Sequence, residues 1–227
     1  MTYQGSSAHN GPEGEGAGRT ASDLGERALL AATRLFAALG YDGTSAREIA
    51  DAVGVDVATL TEVAGAKRDL YLAVLDRALR RHVAMLEKSV QEFHATGCVH
   101  RLLARYLDFC LESPDNLALW MHRWLSDAAD VTDFERRYIQ PIMVMVGGPL
   151  REWLDRNDIG VEVDVEFSVW TVMWCAHGFL TGGMVGAEGE PRRASDVETL
   201  RRFRRHMHRL WHRQLCLPGE PPAEFLL

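Results

Sequence analysis

The chain has 227 residues, 47% hydrophobic and 25% charged, which suffices for a buried core and excludes wholesale disorder. A formal charge of -7 argues against a protein that coats nucleic acid regardless of sequence. Cys98, Cys110, Cys175 and Cys216 lack any CxxC or zinc-like spacing and fit free thiols in a reducing cytoplasm.

Met1 to about Thr20 is rich in glycine and polar residues without an apolar period, which predicts a disordered tail over 1–20. No charged-then-apolar signal segment opens the chain, so the expected compartment is the cytoplasm. A helix follows, with Leu24, Ala28, Ala31, Leu35 and Leu39 three or four apart on one face. Gly40 ends it. Ser45 and Glu48 have the spacing of a capping box, in which each side chain bonds the other's backbone N–H at the start of a second helix. Ile49 and Val53 form its inner side, Gly54 makes a tight turn, and Asp56 caps a third helix over Val57–Ala64. Short helix, glycine turn and short helix are the parts of a helix-turn-helix, whose second helix enters the major groove. We assign this head to residues 21–67.

The run LLAATRLFAALGYDGTSAREIADAVGV, followed by Thr59-Leu60 and Ala66-Lys67-Arg68-Asp69-Leu70-Tyr71, resembles the amino-terminal domain of TetR-type transcriptional regulators. Phe36, Gly40-Tyr41, Thr44-Ser45, Ile49-Ala50, Gly54-Val55, Leu60 and Lys67 keep that family's order and spacing. The resemblance implies a three-helix DNA-reading head on a larger helical body that dimerises and binds a small molecule. Family members usually carry tyrosine where this chain has Thr61 and phenylalanine where it has Ala64. The recognition helix also contains no Lys or Arg and carries Asp56 and Glu62 instead. Seven residues are the expected DNA contacts. Thr44 and Ser45 would offer donors to phosphate at a helix amino end. Arg47 and Lys67 would flank the groove as cations. Val57, Thr59 and Thr61 would face the bases.

Lys67 and Asp69 open a long fourth helix with Leu70, Val74, Ala78, Leu86, Val90 and Phe93 inward. The next, about Val99 to Glu112, buries Leu102, Leu103, Tyr106 and Cys110. Ser113-Pro114 then starts another. A capping box from Thr132 to Glu135 predicts a helix that Pro141 and Gly147-Gly148-Pro149 interrupt. Such breaks open a gap lined by Trp120, Met121, Trp124, Met143 and Trp153, suited to a flat apolar ligand. Tyr106, Trp170, Trp174 and His177 extend that ligand-facing set. Phe167 to Val185 carries no full charge and has the length of a membrane span, but its polar residues and spaced glycines fit a buried helix of a dimer interface better. The last helix opens at Ser195 and Glu198. It has Val197, Leu200, Phe203, Met207, Leu210 and Trp211 on one side and arginines on the other. His208 and His212 lie one turn apart with no third ligand evident, so no metal is assigned. The body spans 68–217, and 218–227 is a tail.

No phosphate-cradling loop, nucleophile elbow, HExxH or Rossmann pattern occurs, and neither a cofactor nor an enzyme activity is indicated. The expected protein is all-α with about nine helices. Its expected function is that of a ligand-responsive transcriptional regulator, a repressor. It would bind a palindromic DNA operator as a homodimer through its last two long helices, and a small, largely apolar effector would release it. The alternative is a dimeric ligand-binding protein whose helix-turn-helix no longer binds DNA specifically.

Overall fold

Local sequence signals account for most of the elements. The structure, a computed structural model, describes residues 13–159 and 163–227, with side chains from Ala21 onward. Residues 1–12 of the expected tail lie outside the described residues. Helix α1 (Glu13–Leu39) begins ahead of the Thr20 boundary. It is followed by α2 (Ala46–Val53), α3 (Val57–Ala64), α4 (Lys67–Thr96), α5 (Val99–Glu112) and α6 (Pro114–Trp124). Then come α7 (Gln140–Arg156), α8 (Val165–Gly182) and α9 (Val197–Gln214). Among the described residues the only strands are β1 (Met184–Val185) and β2 (Pro191–Arg192), an antiparallel pair. The fold is all-α, as expected.

The chain divides into two compact units, one ending at Val74 and one running from Leu75 to Leu227. The division lies seven residues beyond the expected 67/68 boundary because Leu70, Tyr71 and Val74, in the first turns of α4, are buried with the head. Tyr71 meets Phe36 edge-on at 5.2 Å and Tyr41 at 4.7 Å between ring centroids. These rings close the head's core. The inner face of α1 is Ala28, Ala32 and Phe36, so that of the expected Leu24, Ala28, Ala31, Leu35 and Leu39 only Ala28 is fully buried. Leu39 is exposed, because α2 and α3 cover the stripe that contains the larger Phe36. Gly54 turns the chain between α2 and α3 at φ 77°, a left-handed conformation in which glycine has no Cβ penalty.

In the second unit three expectations are corrected. Thr132 caps nothing: a π turn over Glu135–Ile139 leads directly into α7. Pro141 sits in the first turn of α7, directly after the π turn, and the helix continues through Gly147-Gly148-Pro149 to Arg156. The cap of α9 is Asp196, whose carboxylate accepts the Thr199 N–H at 2.6 Å, rather than Ser195. The core gathers Phe93, Leu103, Leu107, Leu150, Met173, Ala176, Met207 and Leu215 from five helices. Residues 218–227 are packed rather than a free tail. Phe225 stacks on His208 at 4.9 Å, and the Arg205 Nε–H donates to the Leu226 carbonyl at 2.8 Å. No helix among the described residues is long and apolar enough to cross a membrane.

Candidate DNA-reading surface and effector cavity

The head's second and third helices are each started by a side chain. At α2 the Glu48 N–H donates to Ser45 Oγ at 3.2 Å, and the Ser45 N–H donates to Glu48 Oε2 at 2.7 Å. The Ser45 hydroxyl also donates to that carboxylate, at 2.8 Å. At α3 the Thr59 N–H donates to Asp56 Oδ1 at 2.7 Å. Backbone N–H groups of Ser45 and Thr59 respectively hold the Glu48 and Asp56 carboxyls below their usual range. Both helix starts therefore carry a fixed negative charge near neutral pH.

Three of the seven expected DNA contacts have hydrogen-bond partners within the head. Thr44 is buried, and its hydroxyl donates to the Gly40 carbonyl at 2.7 Å. Ser45 spends both its donors on Glu48. Lys67 Nζ donates to the carbonyls of Tyr41 at 3.0 Å and Thr44 at 2.9 Å, and lies 4.0 Å from the Tyr41 ring centroid. It acts as a strap that fixes the turn between α1 and α2 to the start of α4. The other four lie on α2 and α3. Arg47 is exposed on α2, and Val57 and Thr61 are exposed on α3, while Thr59 is half-buried. The Thr61 hydroxyl donates to the Val57 carbonyl at 2.8 Å, which leaves its methyl group and oxygen lone pairs for a base edge. Ala58 and Glu62 complete this exposed rail one helical turn apart, and neither was among the expected contacts.

The second unit separates the expected ligand-facing residues into two places. Trp124, Met143 and Trp170 line an open cleft of about 560 Å³ together with Arg123, Phe134 and Ile139. Tyr106 lines an inner cavity of about 50 Å³ whose other walls include His82, Ile142, Val146, Met173 and Trp211. His177 stands between them. It stacks on Trp124 at 4.8 Å, and its Nε2 is 2.9 Å from the Tyr106 hydroxyl. Three tryptophans depart from the expected lining. Trp120 is buried against Phe134 with its N–H on Asn116, Trp153 packs on Phe93, and Trp174 is exposed and stacked on Trp170. Met121 is half-buried on α6, outside both linings.

Two clusters were missed by reading the sequence. His82 is 3% exposed, and neither of its ring nitrogens has a hydrogen-bond partner. It falls four residues after Ala78 and four before Leu86, so the inward period of α4 pointed to it. The second cluster joins His100 of α5 to the α9 pair. His100 Nδ1 is 3.1 Å from His208 Nδ1, and His100 Nε2 is 3.1 Å from His212 Nδ1. His212 Nε2 lies 3.1 Å from the Gly219 carbonyl. Neutral rings satisfy this chain in one way: His212 donates to Gly219, His100 to His212, and His208 to His100. Among the described residues no group of His, Cys, Asp or Glu is placed to hold a metal ion.

Residues 28–74 match the model of the tetR family of bacterial regulatory proteins, and this stretch holds the whole α2–turn–α3 unit. The head is a TetR-family head. The fold agrees with two solved TetR-family transcriptional regulators. PfmR from Thermus thermophilus is 22% identical over 67% of this chain and 82% of its own, with a TM-score of 0.54. A regulator from Streptomyces coelicolor is 18% identical over 90% of this chain and 94% of its own, with a TM-score of 0.52. No curated protein matches the chain. Within this TetR-family head, the small Thr61 and Ala64 stand where the family usually has tyrosine and phenylalanine. Its core closes instead on Leu60, which is buried, and on the Phe36–Tyr41–Tyr71 rings.

Proposed function

We propose that this TetR-family regulator represses transcription by binding a palindromic operator as a homodimer, and that a small, largely apolar effector taken up by the body releases it. The observation that carries the DNA reading is the outward rail of α3. Val57, Ala58, Thr61 and Glu62 are exposed on a helix capped at its start and joined to α2 by a left-handed glycine turn. Val57 and the Thr61 methyl suit thymine methyl groups, and the Thr61 oxygen suits an amino group of adenine or cytosine. Arg47 supplies a cation on the neighbouring helix. The dimer reading is supported by apolar side chains left bare on the last two helices, Phe167 and Trp174 on α8 and Val197 on α9. The effector reading is supported by the cleft at Trp124 and Trp170 and by the inner cavity.

Band shifts of the full chain on DNA upstream of its own gene test this reading. Specific binding is expected, and Arg47→Ala should reduce the slope of log affinity against log salt by about 2 for a dimer that loses one phosphate contact per head. Glu62→Gln should tighten binding severalfold by removing a carboxylate that faces phosphate. The second reading, a dimeric ligand-binding protein with a retired head, draws on the same surface. Asp56, Glu48 and Glu62 surround the rail, and Lys67 is withdrawn from it. It is favoured if random-sequence selection at low salt recovers no site while ligand uptake persists.

A further inference from the structure

Helix α4 places an imidazole where an apolar side chain would cost less. His82 is 3% exposed, stacks on Phe109 at 4.9 Å and on Tyr106 at 5.9 Å, and lines a cavity whose other walls are almost entirely aliphatic or aromatic. Both its ring nitrogens lack a partner. A buried polar group without a partner forfeits its hydration and gains nothing in return, so a chain that keeps one in contact with a cavity has something for it to bind. Water is a poor candidate. The cavity of about 50 Å³ has room for it, but a buried water needs two to four polar partners. The polar groups of the lining are few: the Tyr106 hydroxyl shares a hydrogen bond with His177, the Trp211 N–H donates to the Val99 carbonyl, and His82 has no partner.

We propose that His82 is the polar anchor of the effector cavity, and that the ligand is a small uncharged molecule with an apolar body and one hydroxyl, of the phenol class. This inference rests on the effector reading above and names the chemistry of that site. Burial, with His177 nearby, pushes His82 down to about 4, so at pH 7 it is a neutral ring with one N–H donor and one lone pair. A hydroxyl matches that ring because it donates to the lone pair while its carbon skeleton occupies the apolar walls. A carboxylate does not, since its charge would enter an apolar cavity facing imidazoles that resist protonation. The room for a ring comes from Met173, whose unbranched side chain adapts readily, and from Ile142 and Val146 on the π-started α7. His177 and Tyr106 form a partition between the outer tryptophan cleft and this cavity, which places the route of entry there.

The test is calorimetric titration of the full chain with phenol, toluene and benzoate. Phenol is expected to bind at least tenfold more tightly than either of the others, and His82→Leu to reduce the phenol-to-toluene ratio to about one. His82→Gln, which keeps a polar tip, should retain part of the preference. Spectra of protein carrying ¹⁵N-histidine should show phenol, and not toluene, moving the signal that His82→Leu abolishes. Toluene binding as tightly as phenol, benzoate binding most tightly, or an unchanged ratio in His82→Leu would each overturn the assignment. Uptake of none of the three would do the same, leaving water as the occupant. The wild-type comparison needs no variant to fold. Release of DNA by each probe is scored separately. Toluene that binds and releases DNA sinks the hydroxyl anchor but leaves the effector reading standing, whereas phenol that binds with the expected preference and never affects DNA does the reverse.

Discussion

Lowering the pH from 7 to 5 is expected to remove about 3–4 kcal/mol of folding stability through two histidines, His82 and His177. Each is 3% exposed, and burial is the main cause that holds each at about 4 in the folded chain. In the unfolded chain an imidazole titrates at about 6.5. Between those values the unfolded state binds protons that the native state refuses, so stability rises with pH across this window and is lost as pH falls from 6.5 towards 4. Each group contributes up to about 1.4 kcal/mol per pH unit there, which over the interval from 7 to 5 comes to about 1.5–2 kcal/mol. His100, pushed to about 4, and His208, pushed to about 3, act in the same direction, since burial and the neighbouring histidine oppose a charge on either. Protonation of His100 also places two donors face to face, its Nδ1–H against that of His208. Typical domains have only about 5–15 kcal/mol in total. Urea unfolding at pH 7, 6 and 5 should therefore show a midpoint that falls steeply with a constant slope. A midpoint that is flat to pH 5 would mean that these rings are solvated or charged in the native state.

His82→Leu is expected to stabilise the unliganded protein at pH 7 by about 1 kcal/mol. Removing two unpartnered nitrogens recovers about 1–3 kcal/mol of desolvation cost, and losing the stack on Phe109 returns part of it, about 0.5–1.5 kcal/mol. The volumes are close, so no large cavity follows. The advantage should grow as the pH falls to 5, because the variant drops one of the groups that titrate in that window. A raised urea midpoint together with loss of the phenol preference would show a residue kept for binding at the expense of stability. A lowered midpoint would show that the ring nitrogens have partners after all. Lys67→Met provides the contrast in the head. It should lower the unfolding free energy by about 1–3 kcal/mol, because the Thr44 carbonyl loses the ammonium that serves it. The same measurement separates this strap from the phosphate contact expected of Lys67, which would leave stability unchanged.

Much of the head was readable because its signals are local. The Ser45–Glu48 box, the Asp56 cap and the Val57–Ala64 span each depend on atoms within a few residues of one another, and each formed as its spacing implied. Pro114 likewise started α6. Spacing failed where a neighbour from elsewhere competed. Thr132 and Glu135 have the spacing of a box, but a π turn occupies that segment and Arg123 reaches Glu135 from α6 at 3.4 Å. Lys67 looked like a free cation until the fold brought the carbonyls of Tyr41 and Thr44 to it from more than twenty residues away.

Sequence alone determined most of the helical segments, where the two short ones of the head begin and end, and which family's head they form, because caps, periods and glycine turns are written in near neighbours. Only the tertiary structure decided which donors of the head find internal partners, occupying Thr44, Ser45 and Lys67 and leaving Arg47 and the α3 rail exposed. It alone also joined His100 to His208 and His212, and set His82 against the cavity beside Tyr106. Those outcomes depend on side chains separated by as many as 112 residues, and on which of them packing shuts off from water.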